Sequence, residues 1–138
     1  MYRELFPCRL VNTGFRWHTR AYCAERKDFR DFNLSRIATS KKSMTDTPSA
    51  AAPERDKDWH TMVKLIIKPN PILSKDEITL LEQEFAMKRG SITAMVRGAL
   101  VPYTLQSYQI DPKAPLKTNP RQHRLILDNI NDLHDFLW

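Results

Sequence analysis

Arg16, His18, Arg20, Arg30 and Arg36 fall within 21 positions near the start of this 138-residue chain, interleaved with Phe15, Trp17, Tyr22, Phe29 and Phe32. Guanidinium groups grip phosphate or carboxylate through two parallel N–H bonds, an imidazole donates or accepts, and aromatic rings stack on bases. Residues of these types along paired strands could build an anion site. Surface arginines are also commonly solvated and serve only solubility. Residue types alone leave both readings open.

Little else in the chain could do chemistry. Cys8 and Cys23 have no metal-type spacing, and two cysteines with scattered histidines supply too few ligands for zinc, so reduced thiols in a cytoplasmic protein are expected. His60, His123 and His134 stand apart from any nucleophile or carboxylate at a telling spacing. Asp76, Glu77, Glu82 and Glu84 suit the polar face and cap of a helix. The three glycines of the chain, Gly14, Gly90 and Gly98, are too widely spaced to form a glycine-rich phosphate loop. No catalytic residue, metal or cofactor is expected, and an enzyme is not indicated. Nor is a membrane span, because no apolar run approaches the roughly 18 residues one needs.

The elements that must position the arginines follow from periodicity. Residues 15–23 alternate, with Phe15, Trp17, Thr19, Ala21 and Cys23 on one side and Arg16, His18, Arg20 and Tyr22 on the other. Residues 29–37 alternate too, placing Arg30, Phe32, Leu34 and Arg36 on one face. Period two predicts half-buried strands. The polar "AERKD" between them predicts a hairpin loop of about four or five residues. "ELFPCRLV" is a third strand, turned by "NTG". One face of this three-stranded meander is expected to gather Arg16, His18, Arg20, Arg30 and Arg36. An amphipathic transit helix fits poorly, since Glu4, Glu25, Asp28 and Asp31 interrupt the basic run.

Residues 38–58 are small, polar and proline-containing, and predict a flexible linker. A second unit follows. Trp59, Thr61, Val63, Leu65 and Ile67 alternate as a strand that "KPNP" stops. "SKDE" at 74–77 is a capping box for a helix carrying Ile78, Leu81 and Phe85, which Gly90 closes. "SITAMVR" reads as a strand and "GALVPYTLQSYQI" as a helix with Pro102 in its first turn. "DPKAPLKTNP" is a long loop, "RLIL" a strand and "NDLHDFLW" a short amphipathic helix. This order predicts a small α/β unit on one sheet.

Charge separates the two parts. Residues 1–43 hold ten Lys/Arg against four Asp/Glu, and residues 44–138 hold twelve of each, so the whole excess of +6 sits on the first third. Such local excess points to an anionic partner.

"FPCRLVNTGFRWHTRAYCAERKDFRDFNLSRI" resembles the C-terminal half of a WYL domain, the ligand-sensing module of many bacterial transcription regulators. Trp17-His18-Thr19 sits where that family has its eponymous Trp-Tyr-Leu, and "FRDFNLSRI" resembles its closing strand, with the two arginines at Arg30 and Arg36. The "RWHTRAYC" spelling is similar to the WYL repressors of phage-defence islands of the BREX and CBASS kinds. "IIKPNPILSKDEITLLEQEFAMKRGSITAMVRGALVPYTLQSYQI" resembles the C-terminal extension that follows WYL there and contributes to dimerisation. The resemblance implies an α+β chain. Residues 1–40 would be part of an antiparallel Sm/SH3-like β-barrel, residues 41–58 a linker, and residues 59–138 a small α/β, ferredoxin-like extension. It also implies a pocket for a nucleotide or nucleic-acid ligand, with His18, Arg30 and Arg36 lining it and Trp17 structural.

Two departures stand out. Cys8 occupies a position where many members have a histidine, and the chain begins inside the barrel, without the winged helix-turn-helix and first WYL strands of a full-length member. Uncovered edges would make residues 1–43 pair with another copy or lose part of their fold. The expected function is the effector-sensing and dimerising part of a WYL regulator, partnered by itself or a full-length paralogue. A ligand-free interaction protein is the alternative. A third reading is sequence-tolerant binding of single-stranded nucleic acid by the basic strands, while operator recognition by this chain itself is not expected.

Overall fold

Where polar and apolar residues alternate, the chain forms strands. The computed structural model describes residues 2–113 and 119–137, and these divide into two units, Met1–Lys57 and Asp58–Trp138. In the first unit β1 (Leu5–Asn12), β2 (Trp17–Cys23) and β3 (Asp28–Asn33) form an antiparallel sheet in the order β1-β2-β3. Cys8 is the extra residue of a bulge in β1, because Pro7 pairs with Ala21 and Arg9 with Arg20.

The closing strand is shorter than its alternation predicts. The Asn33 side chain accepts the backbone N–H of Ser35 at 3.1 Å and its hydroxyl at 2.9 Å. This local bonding competes with the ladder and turns Leu34–Arg36 into a 3-10 turn, which takes Arg36 off the sheet.

The stretch expected to be a flexible linker is folded at its far end. Ser49–Ala51 and Pro53–Arg55 are 3-10 turns, and Ala51 and Asp56 are buried. Lys57–His60 then forms α1, a single helical turn where a strand is expected.

In the second unit β4 (Met62–Pro69) lies between β5 (Ile92–Arg97) and β6 (Leu125–Leu127), antiparallel to both. Val63, Leu65 and Ile67 alternate into the core, as their period requires, and meet Leu81 of α2 (Lys75–Glu84) and Val101 and Leu105 of α3 (Val101–Ser107). Both helices therefore cover one face of the sheet. The other face presents Met62 and Met95, both exposed. β6 pairs only with the end of β4, and Asn129 extends the ladder: its amide accepts the Ile66 N–H at 3.0 Å and donates to the Lys64 carbonyl at 2.7 Å.

Ser74 caps α2 by accepting the Glu77 N–H at 3.2 Å, and its hydroxyl meets the Glu77 carboxylate at 3.0 Å. Gly90 does not close α2, which ends at Phe85; it turns the chain between Lys88 and Ser91 at a φ of 79° that favours glycine. The last expected helix is a pair of 3-10 turns, Ile130–Asp132 and His134–Phe136, while its final residue, Trp138, and residues 114–118 of the preceding loop lie outside the described residues. The class is α+β, with two small antiparallel sheets. Among the described residues neither closes into a barrel.

Gly98 marks the tightest approach in the second unit. A Cβ there would stand 2.5 Å from the Phe136 ring and 2.9 Å from the Asp58 carbonyl oxygen. Gly98→Ala should therefore cost about 1–3 kcal/mol, the usual range for overpacking. Denaturant unfolding of the variant checks this, and an unchanged midpoint would contradict the packing described.

Candidate functional site

The central strand decides which side chains can meet. Register places Arg20 opposite Asp31, His18 opposite Asn33 and Tyr22 opposite Phe29. Across β1 the partners are Arg9, Val11 and Phe6. One face thus carries three rows: Phe6, Tyr22 and Phe29; Arg9, Arg20 and Asp31; Val11, His18 and Asn33. The aromatic row is packed, with ring centroids 6.5 Å and 5.4 Å apart.

Every residue from His18 to Cys23 is buried, so Arg20, only 7 % exposed, has little water to solvate its charge. Protein carboxylates replace the water. Its Nε and Nη2 donate to the two oxygens of Asp56 at 2.7 Å and 2.8 Å, a bidentate fork, and Nη1 donates to Asp31 at 3.2 Å. Asp56 is itself 2 % exposed. It comes from the folded segment 49–56, which is also held where the Cys8 thiol donates to the Ala51 carbonyl at 3.8 Å. The two carboxylates offset the like charges of Arg9 and Arg20, which face each other across the strands.

Electrostatics follow from this packing. Burial disfavours the Arg20 cation, but Asp56 and Asp31 outweigh it and hold the proton more firmly than water does. Burial pushes His18 below its ordinary value; the Asp31 carboxylate, 3.5 Å away, opposes this and the Arg20 charge adds to it. The imidazole is therefore neutral at pH 7. Burial and then the Asp56 charge push the Cys8 thiol up, which keeps it protonated and a poor nucleophile.

The five sequence-identified residues do not all lie on one strand face. His18 and Arg20 share the charged face. Arg30 pairs with Ala21 and lies on the opposite face, exposed. Arg36 is exposed at the end of the 3-10 turn, and Arg16 is exposed in the turn before β2. The expectation that all five line one face is corrected by register and by the early end of β3. Asp31 and Asp56, which organise the cluster, were not singled out by residue type; Asp31 was legible as a strand residue, whereas nothing local marks Asp56. Among the described residues no group of His, Cys, Asp and Glu could hold a metal ion, and no helix is long and apolar enough to cross a membrane. In the second unit a cleft of about 280 Å³ is lined by Pro102, Leu105, Gln106, Ile110, Asp111 and Lys113, remote in chemistry from the arginine cluster.

A depressed His18 binds its proton less readily folded than unfolded. Its contribution to stability is complete above about pH 6.5 and is lost as the pH falls below that, by at most about 1.4 kcal/mol per pH unit. His18→Gln should flatten this part of the stability–pH curve between about pH 6.5 and 5. Denaturant titrations at several pH values measure it, and an equally steep decline in the variant would refute the assignment.

Residues 62–133 match the family model described as BrxR transcriptional regulator, C-terminal dimerization domain, and residues 2–41 match the WYL domain. The chain is 36 % identical over 135 residues to the DNA-binding transcriptional repressor CapW of Pseudomonas aeruginosa, covering 98 % of this chain and 44 % of the relative. It is 34 % identical over the same coverage to the protein of that name from Escherichia coli (strain KTE188). The Stenotrophomonas maltophilia protein of that name is 26 % identical over 133 residues, covering 96 % of this chain and 44 % of the relative. The chain thus spans less than half the length of the curated relatives it matches. The first match lies within one structural unit and the second within the other. This chain belongs to the BrxR family of WYL-domain transcriptional regulators.

Proposed function

We propose that this chain is the effector-sensing and dimerising part of a transcriptional repressor. The observation that carries the reading is the succession, in one chain, of a WYL match on the first sheet and a dimerization-domain match on the second. On this reading the first sheet is a portion of an Sm/SH3-like barrel, and the second unit is a ferredoxin-like layer of helices on an antiparallel sheet. The effector is a nucleotide or nucleic-acid-like anion. The local excess of +6 on residues 1–43 favours such a partner, and buried Arg20 already holds an oxyanion in the bidentate geometry that phosphate also accepts. Operator contact is made elsewhere in the repressor. Among the described residues a strand separates each helix from the next, so none of them form a helix-turn-helix.

The self-association surface is the uncovered face of the second sheet, where exposed Met62 and Met95 flank Lys64. Apolar side chains on an uncovered sheet face are what a second copy would bury.

The alternative, an interaction protein with no ligand that pairs with itself or a full-length paralogue, draws support from one finding. Arg30 is exposed on the face opposite His18 and Arg20, and Arg16 and Arg36 are exposed in turns outside the strands, so the five sequence-identified residues do not share one strand face. Two measurements separate the readings. Light scattering after size exclusion should give a dimer that Met95→Glu converts to monomer, under either reading. Calorimetric titration with a single-stranded oligonucleotide should give saturable binding only under the first, and its absence in a well-folded dimer would favour the second.

A further inference from the structure

The edge strands of the two sheets differ in how well they are closed to another chain. β1 carries Pro7 and the bulge at Cys8, β3 carries Asp28, Arg30 and Asp31, and β6 is only three residues long. Proline, bulges, charge and shortness are the devices that keep an edge from recruiting a further strand. β5 has none of them before Arg97. Ile92–Val96 is uncharged, contains neither proline nor glycine, and pairs with β4 without a shift of register.

Alternation fixes which backbone groups of β5 point outward. The Gly98 N–H donates to the Thr61 carbonyl at 2.7 Å. On the far side of β4 the Ile66 carbonyl accepts the Asp128 N–H at 2.8 Å, and Asn129 bonds both Ile66 and Lys64. Val63, Leu65 and Ile67 therefore bond across to Val96, Ala94 and Ile92, and the N–H and C=O groups of Thr93, Met95 and Arg97 point away from the sheet. Among the described residues no strand lies beyond β5.

We propose that β5 pairs antiparallel with β5 of a second copy about a two-fold axis at Met95, joining the two three-stranded sheets edge to edge. The inference rests on the self-association proposed above and names the edge of that surface at which the copies meet. The occupant is a second copy because the dimerization-domain match spans β4, β5 and β6, and an edge of this kind is complementary to itself. Opposed residues in a ladder share a face, so both cores stay on one side only if residues an even number apart are opposed. Met95 against its own counterpart meets that condition. It sets Thr93 against the counterpart of Arg97, so every outward-pointing residue of β5 finds a partner and like charges do not face each other. On the core side it brings Ala94 opposite the counterpart of Val96.

Amide hydrogen exchange of the unaltered chain, resolved by residue with NMR, should show Thr93 and Arg97 protected as strongly as Ala94 and Val96, which bond to β4. Thr93→Pro removes an N–H that the β4 ladder does not use, and should weaken the dimer about tenfold in sedimentation equilibrium; Thr93→Val keeps the N–H and should leave it unchanged. The exchange measurement needs no substitution, so it decides the matter even if Thr93→Pro folds poorly. Fast exchange at Thr93 and Arg97 in a dimeric chain, or a folded Thr93→Pro dimer as tight as the original, would overturn edge pairing and leave self-association standing. A chain that stays monomeric at every concentration would overturn both.

Discussion

A strand buried on both faces has no water for a charged side chain, and β2 is such a strand with Arg20 at its middle. Burying a guanidinium unpaired costs several kcal/mol, far more than one surface pair returns. The fold of the first unit has to answer that cost. Asp31 answers part of it from the neighbouring strand, and Asp56 answers the larger part through two short bonds. Asp56 can do so only if the chain after β3 doubles back, which is why a stretch without hydrophobic periodicity nonetheless has a folded end. A well-satisfied buried pair is weak evidence for stability but good evidence for a specified conformation. Here it specifies where the chain leaves the meander.

How far the site could be read from sequence depended on one residue of loop length. The strands themselves were legible, because period two is a strong signal at 17–23 and 28–33. Their relative register was not. "AERKD" fits a loop of four or five residues, and the structure closes it with four, Ala24–Lys27, pairing Cys23 with Asp28. Lys27 takes a φ of 52°, and Glu25 ties the loop to β1 by accepting the Glu4 N–H at 3.1 Å. A five-residue loop would pair Tyr22 with Arg30 and put both on the face of His18. With four, Tyr22 meets Phe29, Arg20 meets Asp31, and Arg30 turns to the other side. A slip of one residue exchanges every side chain between faces. The Asp56 partnership was beyond reach for a different reason: a contact across 36 residues of chain leaves no local signature.

The second unit was more legible because its signals do not depend on register. Val63, Leu65 and Ile67 must share a face whatever pairs with β4, and Ser74 before an acidic first turn caps a helix irrespective of its neighbours. Errors gathered at element ends. α2 stops at Phe85 rather than running to Gly90, since Ala86 already takes a φ of 49° and ends the helical path. The segment from Ile130 to Phe136 has helical spacing but is wound as 3-10 turns, with Leu133 buried in the core. Short apolar-polar patterns at a chain's end satisfy either geometry.

The charge asymmetry takes on a sharper meaning once the ion pairs are known. Among the described basic residues of the first third, Arg20 is neutralised locally by a two-pronged contact with Asp56 and a bond to Asp31. Arg16, Arg30 and Arg36 are exposed, Arg30 on the face opposite Arg20 and the other two in turns. Such charges act at range: they raise the local concentration of an anion and speed its arrival, an effect that weakens over a Debye length of about 8 Å at physiological ionic strength. Arg20 differs from them in having fixed carboxylate partners and little water to compete. Within the first unit the exposed arginines contribute a long-range field that salt screens, and the buried one contributes a fixed two-pronged contact that sets where residues 49–56 lie against the meander.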